Sequence, residues 1–184
     1  MKKLCIVFPG RKYSTDRSLL YYPSKFIESH DYEMIYLHYD LPKESNEEPL
    51  IDSINRGREY INEHVKKIVN ISDYDKVIFL SKSIGTLLSG ELKEFYSDSD
   101  KIYQMFLTPI DDSLKYIDNR DLIICGENDS YLQNSREKLA MFPHSYIFPS
   151  LTHSLESKRD YHLSIRTVEQ ITGIIVSYFD SFEL

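Results

Sequence analysis

Val77-Ile-Phe-Leu-Ser-Lys-Ser-Ile-Gly-Thr-Leu-Leu88 passes from a continuously apolar run into a helical pattern with no loop between them. Val77–Leu80 reads as a strand buried on both faces, because a strand with one wet face would alternate apolar and polar residues. From Ile84 onward apolar residues recur at helical spacing, at Ile84, Leu88, Leu92 and Phe95. The junction, Ser81-Lys82-Ser83-Ile84-Gly85, must therefore turn sharply. Outward from it the same alternation repeats. Short apolar runs occupy Lys3–Phe8, Glu33–His38, Lys76–Leu80, Ile102–Leu107, Leu122–Cys125 and Ser145–Phe148. Between them lie amphipathic segments at Ser18–Ser29, Leu50–Val69, Ile84–Tyr96, Leu132–Phe142 and Tyr161–Phe182. Pro23 places the regular start of the first helix near itself. The second stripe runs through Leu50, Ile54, Ile61, Val65 and Ile68; the last through Tyr161, Ile165, Val168, Ile171, Ile175, Tyr178 and Phe182. Strand and helix alternating in this way predict an α/β fold, a parallel sheet covered by helices on both faces.

Composition narrows the function. The 184 residues fit one domain, spanning 1–184, and the hydrophobic fraction of 41% excludes a disordered chain. A formal net charge of −7 argues against a nucleic-acid partner or an anionic membrane surface. The first apolar stretch stops at Pro9, too short for a signal peptide core, and no apolar run approaches the ~20 residues that span a bilayer. A soluble, cytoplasmic protein is the expectation. Cys5 and Cys125 both fall in predicted strands and read as core residues rather than a disulfide. His38 and Asp40 sit on one side of a strand end, but with no third ligand nearby they read as a surface pair and no metal site is expected.

The chemistry lies at the Ser81–Gly85 turn. A nucleophile raised on a tight strand-to-helix turn needs small residues two before and two after it, and Ser81 and Gly85 meet that demand around Ser83. Ser-x-Ser-x-Gly departs from the usual Gly-x-Ser-x-Gly, and a serine before a helix also serves as a plain N-cap. A serine hydroxyl needs a base, and the base an orienting acid. Downstream, Leu122-Ile-Ile-Cys-Gly-Glu-Asn-Asp129 is a strand, a glycine turn and an aspartate that could equally stabilise its own loop. His153 follows the last strand, in a short loop before the final helix; His162, within that helix, is the runner-up.

With those residues in place, the chain resembles the small α/β-hydrolases that lack a cap. Ser83, Asp129 and His153 occur in that family's order of nucleophile, acid and histidine, each after a strand, and the resemblance runs from Leu4 to the final helix. It implies a six-stranded sheet, mostly parallel, in the order 2-1-3-4-5-6, and a serine hydrolase that needs no cofactor. Two strands would then separate Cys5 from Cys125, by roughly 14 Å at the usual strand spacing. The family's oxyanion hole takes one N–H from the residue after the nucleophile, here Ile84. The other comes from the loop after the first strand, where Pro9-Gly10 replaces the frequent His-Gly and Arg11, or else Lys12, is the expected donor. Tyr13, Tyr21, Tyr22 and Ile110 are candidate walls for a small-molecule acyl substrate, an ester or thioester. Only about a dozen residues, Thr108 to Arg120, stand where a lid is commonly inserted. The rival reading is a binding or scaffolding protein that keeps the fold without catalysis. A flavodoxin-like nucleotide binder ranks last, because no Gly-x-Gly-x-x-Gly follows the first strand.

Overall fold

Six strands form one sheet in the order β2-β1-β3-β4-β5-β6, every neighbouring pair parallel. The structure is a computed structural model and describes residues 1–39, 49–96, 99–132, 135–157 and 159–184. The strands are β1 (Lys3–Phe8), β2 (Tyr32–Tyr36), β3 (Lys76–Lys82), β4 (Ile102–Leu107), β5 (Leu122–Gly126) and β6 (Ser145–Phe148). The helices are α1 (Ser18–Glu28), α2 (Leu50–His64), α3 (Ile84–Phe95), α4 (Arg136–Leu139) and α5 (Tyr161–Ser181). The topology is the expected one. Asp40, half of the suspected surface pair, lies outside the described residues.

The continuous apolar runs are explained by two cores, one on each face of the sheet. Cys5, Val7, Ile78, Leu80, Met105 and Ile124 face one core, with Leu19, Leu20 and Ile27 of α1 and Ile171, Ile175 and Phe179 of α5. The alternate residues Leu4, Ile6, Phe8, Val77 and Phe79 face the other, with Ile54 and Ile61 of α2 and Ile84, Leu88 and Leu92 of α3. The central strands β1, β3, β4 and β5 are thus largely dry on both sides, while the edge strands β2 and β6 are partly exposed, and burial of this kind is the main stabilising contribution. Cys5 and Cys125 are buried thiols on strands separated by β3 and β4.

Five sequence expectations need correction at the helices. The first helix starts at Ser18, with Pro23 inside it; the ring's clash falls on the carbonyl four residues back, in the helix's first turn, where it breaks little. The second helix ends at His64 rather than Val69: the N–H groups of Val65 and Lys66 both close on the carbonyl of Ile61, and Ile68 is left exposed. Phe95 is exposed at the last position of α3, under the Lys66 ammonium. In α5, Tyr161 and Ile165 are exposed, and the buried residues begin at Thr167 because the first two turns stand clear of the sheet. Among the described residues of the predicted 132–142 helix, Arg136–Leu139 is helical as α4.

The connection from β4 to β5 holds a single 3₁₀ turn, Asp111–Tyr116. It packs on α3: a Cβ added at Gly90 would collide with the Tyr116 ring. Residues 108–121 therefore lie along the sheet's flank and build no cap.

Candidate active site

Ser83 stands between β3 and α3 with φ 55° and ψ −123°, a conformation that costs an L-residue of order 1–3 kcal/mol and persists only where its surroundings enforce it. Three features enforce it here. The Ser83 N–H donates to the carbonyl of Leu107 at the end of β4 (3.1 Å), and Ser81, fully buried, donates its hydroxyl to Met105 O (3.1 Å). A Cβ on Gly85 would lie 2.6 Å from Phe8 O and 2.7 Å from Pro9 O, so only glycine lets α3 approach the loop after β1. Ser81 and Gly85 occupy the roles that the spacing assigned them.

The other two residues arrive from the far strands. A glycine at 126 lets the loop after β6 pass against the end of β5, since a Cβ there would strike the carbonyls of Leu151 and Thr152. The Asn128 N–H then donates to Leu151 O (2.8 Å), pinning the two loops together. Across this junction His153 Nδ1 lies 2.8 Å from Asp129 Oδ2 and 3.0 Å from Oδ1, and His153 Nε2 lies 2.8 Å from Ser83 Oγ. Asp129 is buried, with 1% of its surface exposed, and Ser83 keeps 9%. The Asp129 carboxylate also accepts the N–H of Tyr131 (2.9 Å), so it stabilises its own loop while holding the imidazole. His162 is in α5, on an exposed turn stacked on Tyr161. Ser83, His153 and Asp129 form a continuous hydrogen-bonded relay.

The loop after β1 sits against the serine. Gly10 and Tyr13 exchange backbone hydrogen bonds (3.0 and 3.1 Å), closing a turn with Arg11 and Lys12 at its centre. Gly10 faces Ser83 closely enough that an added Cβ would lie 3.1 Å from Ser83 Cβ. The buried Tyr39 donates its hydroxyl to Pro9 O (2.6 Å), and the Ile84 N–H opens α3, where backbone donors have no helical acceptor. The elbow and this turn thus flank Ser83 from two sides.

The four wall candidates scatter. Tyr13 is buried, accepts the Leu19 N–H at its hydroxyl (3.0 Å) and lies beneath Lys82. Tyr21 and Tyr22 are exposed on α1; Tyr22 lines an apolar groove of about 580 Å³ that runs between α1 and α5 along Ile165, Val168 and Val176. Ile110 is buried in the core with Ile84 and Leu87. Two further residues escaped the sequence reading. Tyr131 stacks on the His153 ring with centroids 4.5 Å apart, and Lys82 is buried at the elbow with its ammonium 3.1 Å from His153 O. Nothing in the order of residues marks Tyr131; the lysine inside an otherwise apolar strand end was a visible anomaly.

Comparison with solved structures gives the same fold. A Xanthomonas campestris pv. campestris protein assigned to the alpha/beta hydrolase superfamily superposes with a TM-score of 0.70, covering 98% of this chain and 99% of its own at 9% identity. The chain has the α/β-hydrolase fold. An α/β serine hydrolase without a lid, from the same species, matches with a TM-score of 0.61 at 10% identity, over 98% of this chain and 82% of that one. A Coxiella burnetii α/β serine hydrolase homologue gives 0.60 at 10% identity, over 93% and 83%. By sequence, no protein-family profile and no curated protein matches. Among the described residues no helix is long and apolar enough to cross a membrane.

Proposed function

We propose that the protein is a serine hydrolase of small acyl esters or thioesters, working through an acyl-enzyme intermediate. One observation carries the reading: the unbroken chain of hydrogen bonds from Asp129 through His153 to Ser83 Oγ, with the serine held in a strained elbow. In this mechanism Ser83 Oγ attacks the acyl carbonyl as His153 Nε2 takes its proton. Asp129 keeps the imidazole's Nδ1–H turned inward and stabilises the imidazolium. The N–H groups of Ile84 and Arg11 receive the negative charge on the carbonyl oxygen, each donor worth roughly 3–4 kcal/mol in such sites. His153 then returns the proton to the leaving alcohol or thiol. Water, deprotonated by the same histidine, releases the acid and restores the serine.

Short acyl groups are the proposed substrates, because the β4–β5 connection packs on α3 and itself builds no cap to enclose a chain. Each methylene left in water forgoes about 0.8 kcal/mol of binding. Measuring kcat/KM over p-nitrophenyl esters and acyl thioesters of increasing length tests this. A maximum among the shortest chains is expected. A steady rise to long chains would refute it and point to the groove under Tyr22. Absence of turnover on every member would favour the non-catalytic reading.

A further inference from the structure

Lys82 has no part in the chemistry above, yet it is the residue most out of place in the molecule. It is 2% exposed at the end of β3, where every neighbour on the strand is apolar or small. Its ammonium donates to Thr108 Oγ1 (2.8 Å) and to the carbonyl of His153 (3.1 Å), and stands 4.7 Å over the Tyr13 ring. Thr108 is itself held in a left-handed conformation (φ 48°) just beyond β4, its N–H bonded to Ile124 O (2.6 Å). One cation thus joins the elbow, the end of β4, the histidine loop and the loop after β1. Both of its hydrogen bonds go to neutral oxygens. A buried cation held this way costs stability, and packing alone would favour an apolar residue.

We propose that Lys82 is a positioning residue for His153, tethering the histidine's carbonyl so that its imidazole spans Asp129 and Ser83. The inference rests on the hydrolase reading. Leu151 and Leu155, buried on either side, and the Asn128–Leu151 hydrogen bond anchor the loop, while Asp129, Ser83 and Tyr131 meet the ring. The Lys82 tether fixes the histidine's own backbone between them, and a displacement of about 1 Å at such a centre can cost about 100-fold in rate.

Charge adds a second effect with a distinct signature. The ammonium is faced by Asp129, Glu156, Arg17, Tyr13 and the backbone of His153. Burial lowers Lys82 to about 8, while Asp129 and Glu156 oppose that shift and Arg17 adds to it. Below that value Lys82 holds a positive charge at the carbonyl of His153, and like charges near one another disfavour each other. Removing it leaves Asp129 free to stabilise the imidazolium, so the acidic limb of activity moves upward.

The test compares wild type, Ser83→Ala, Lys82→Met and Lys82→Arg. It reads the second-order rate of Ser83 labelling by a fluorophosphonate from pH 5 to 9, together with a thermal melt. Lys82→Met is expected to label at least tenfold more slowly, with its acidic limb raised by roughly half a unit to one unit, and to melt at or above wild type. Lys82→Arg, which keeps the charge, is expected to hold the limb at its wild-type position. Lys82→Met labelling at the wild-type rate with an unmoved limb overturns the proposal while leaving the hydrolase reading intact. A slow Lys82→Met that melts far lower with its limb unmoved also overturns it, since that is a packing defect. If Lys82→Met does not fold, Lys82→Gln decides by the same limb: raised supports, unmoved overturns. A wild type that never labels at Ser83 overturns the hydrolase reading and the tether with it.

Discussion

Gly85→Ala probes the elbow with one methyl group. In an exposed helix the change would stabilise by about 1 kcal/mol, because glycine gives up more backbone freedom than alanine on folding. Here the new Cβ would lie 2.6 Å from Phe8 O and 2.7 Å from Pro9 O. These are backbone atoms at the end of β1, pinned by the sheet and by the Tyr39 hydroxyl on Pro9 O, and they cannot swing aside as a side chain would. Overpacking of this sort costs about 1–3 kcal/mol. Subtracting the helix gain leaves a net loss of up to about 2 kcal/mol, a fall of up to about 8 °C in Tm for a chain of this size. Activity should fall further than stability. Relieving the clash pushes Pro9-Gly10 away from Ser83 and takes the proposed Arg11 donor with it, and loss of one oxyanion donor costs about 100–1,000-fold in kcat. Gly173→Ala in α5 is the control: nothing lies within 4 Å of its added Cβ, so it should raise Tm by a few degrees with unchanged labelling. Differential scanning calorimetry and ester turnover on both variants give the comparison. Gly85→Ala melting as high as Gly173→Ala, with wild-type turnover, would refute the geometry.

Two more outcomes follow from the same contacts. Ser83→Ala and His153→Ala should each lower kcat by about 1,000-fold or more, and the double variant should be hardly worse than either, because the residues act as one unit; steady-state kinetics showing additive losses would separate them. Asp121, 1% exposed at the start of β5, is pushed up to about 6 by burial, against the pull of Lys93. Its folded-state value exceeds the unfolded one, so its contribution is full below about pH 4 and is lost as pH rises through 6. Relative to Asp121→Asn, wild type should therefore lose up to about 3 kcal/mol between pH 4 and pH 7 in urea titrations, and a constant difference would be the contrary result.

The sheet was legible because its central strands are buried on both faces: a continuous apolar run such as Val77–Leu80 has few other readings. Right-handed crossovers point to a doubly wound sheet, while the strand order came from the resemblance to the α/β-hydrolases. The relay was legible because its members follow strands, where a parallel sheet gathers its loops at one end. What escaped were properties of faces and contacts. Ile165 fits the helical period of α5 as well as Ile171 does, but only the position of the sheet's end decides which turn is covered. Ile110 sits near the site in sequence, yet the 3₁₀ turn that follows folds it inward against Ile84. Tyr131 meets His153 across two loops whose approach depends on the missing side chain of Gly126, a contact no periodicity encodes.

The central claim is that Ser83 is a nucleophile activated by His153 and Asp129. Incubating the folded protein with a fluorophosphonate probe and mapping the adduct by mass spectrometry tests it most directly. The account predicts a single adduct on Ser83, formed by wild type, absent from Ser83→Ala and strongly slowed in His153→Ala. An unmodified Ser83 in protein that melts cooperatively, or labelling undiminished in His153→Ala, would contradict it.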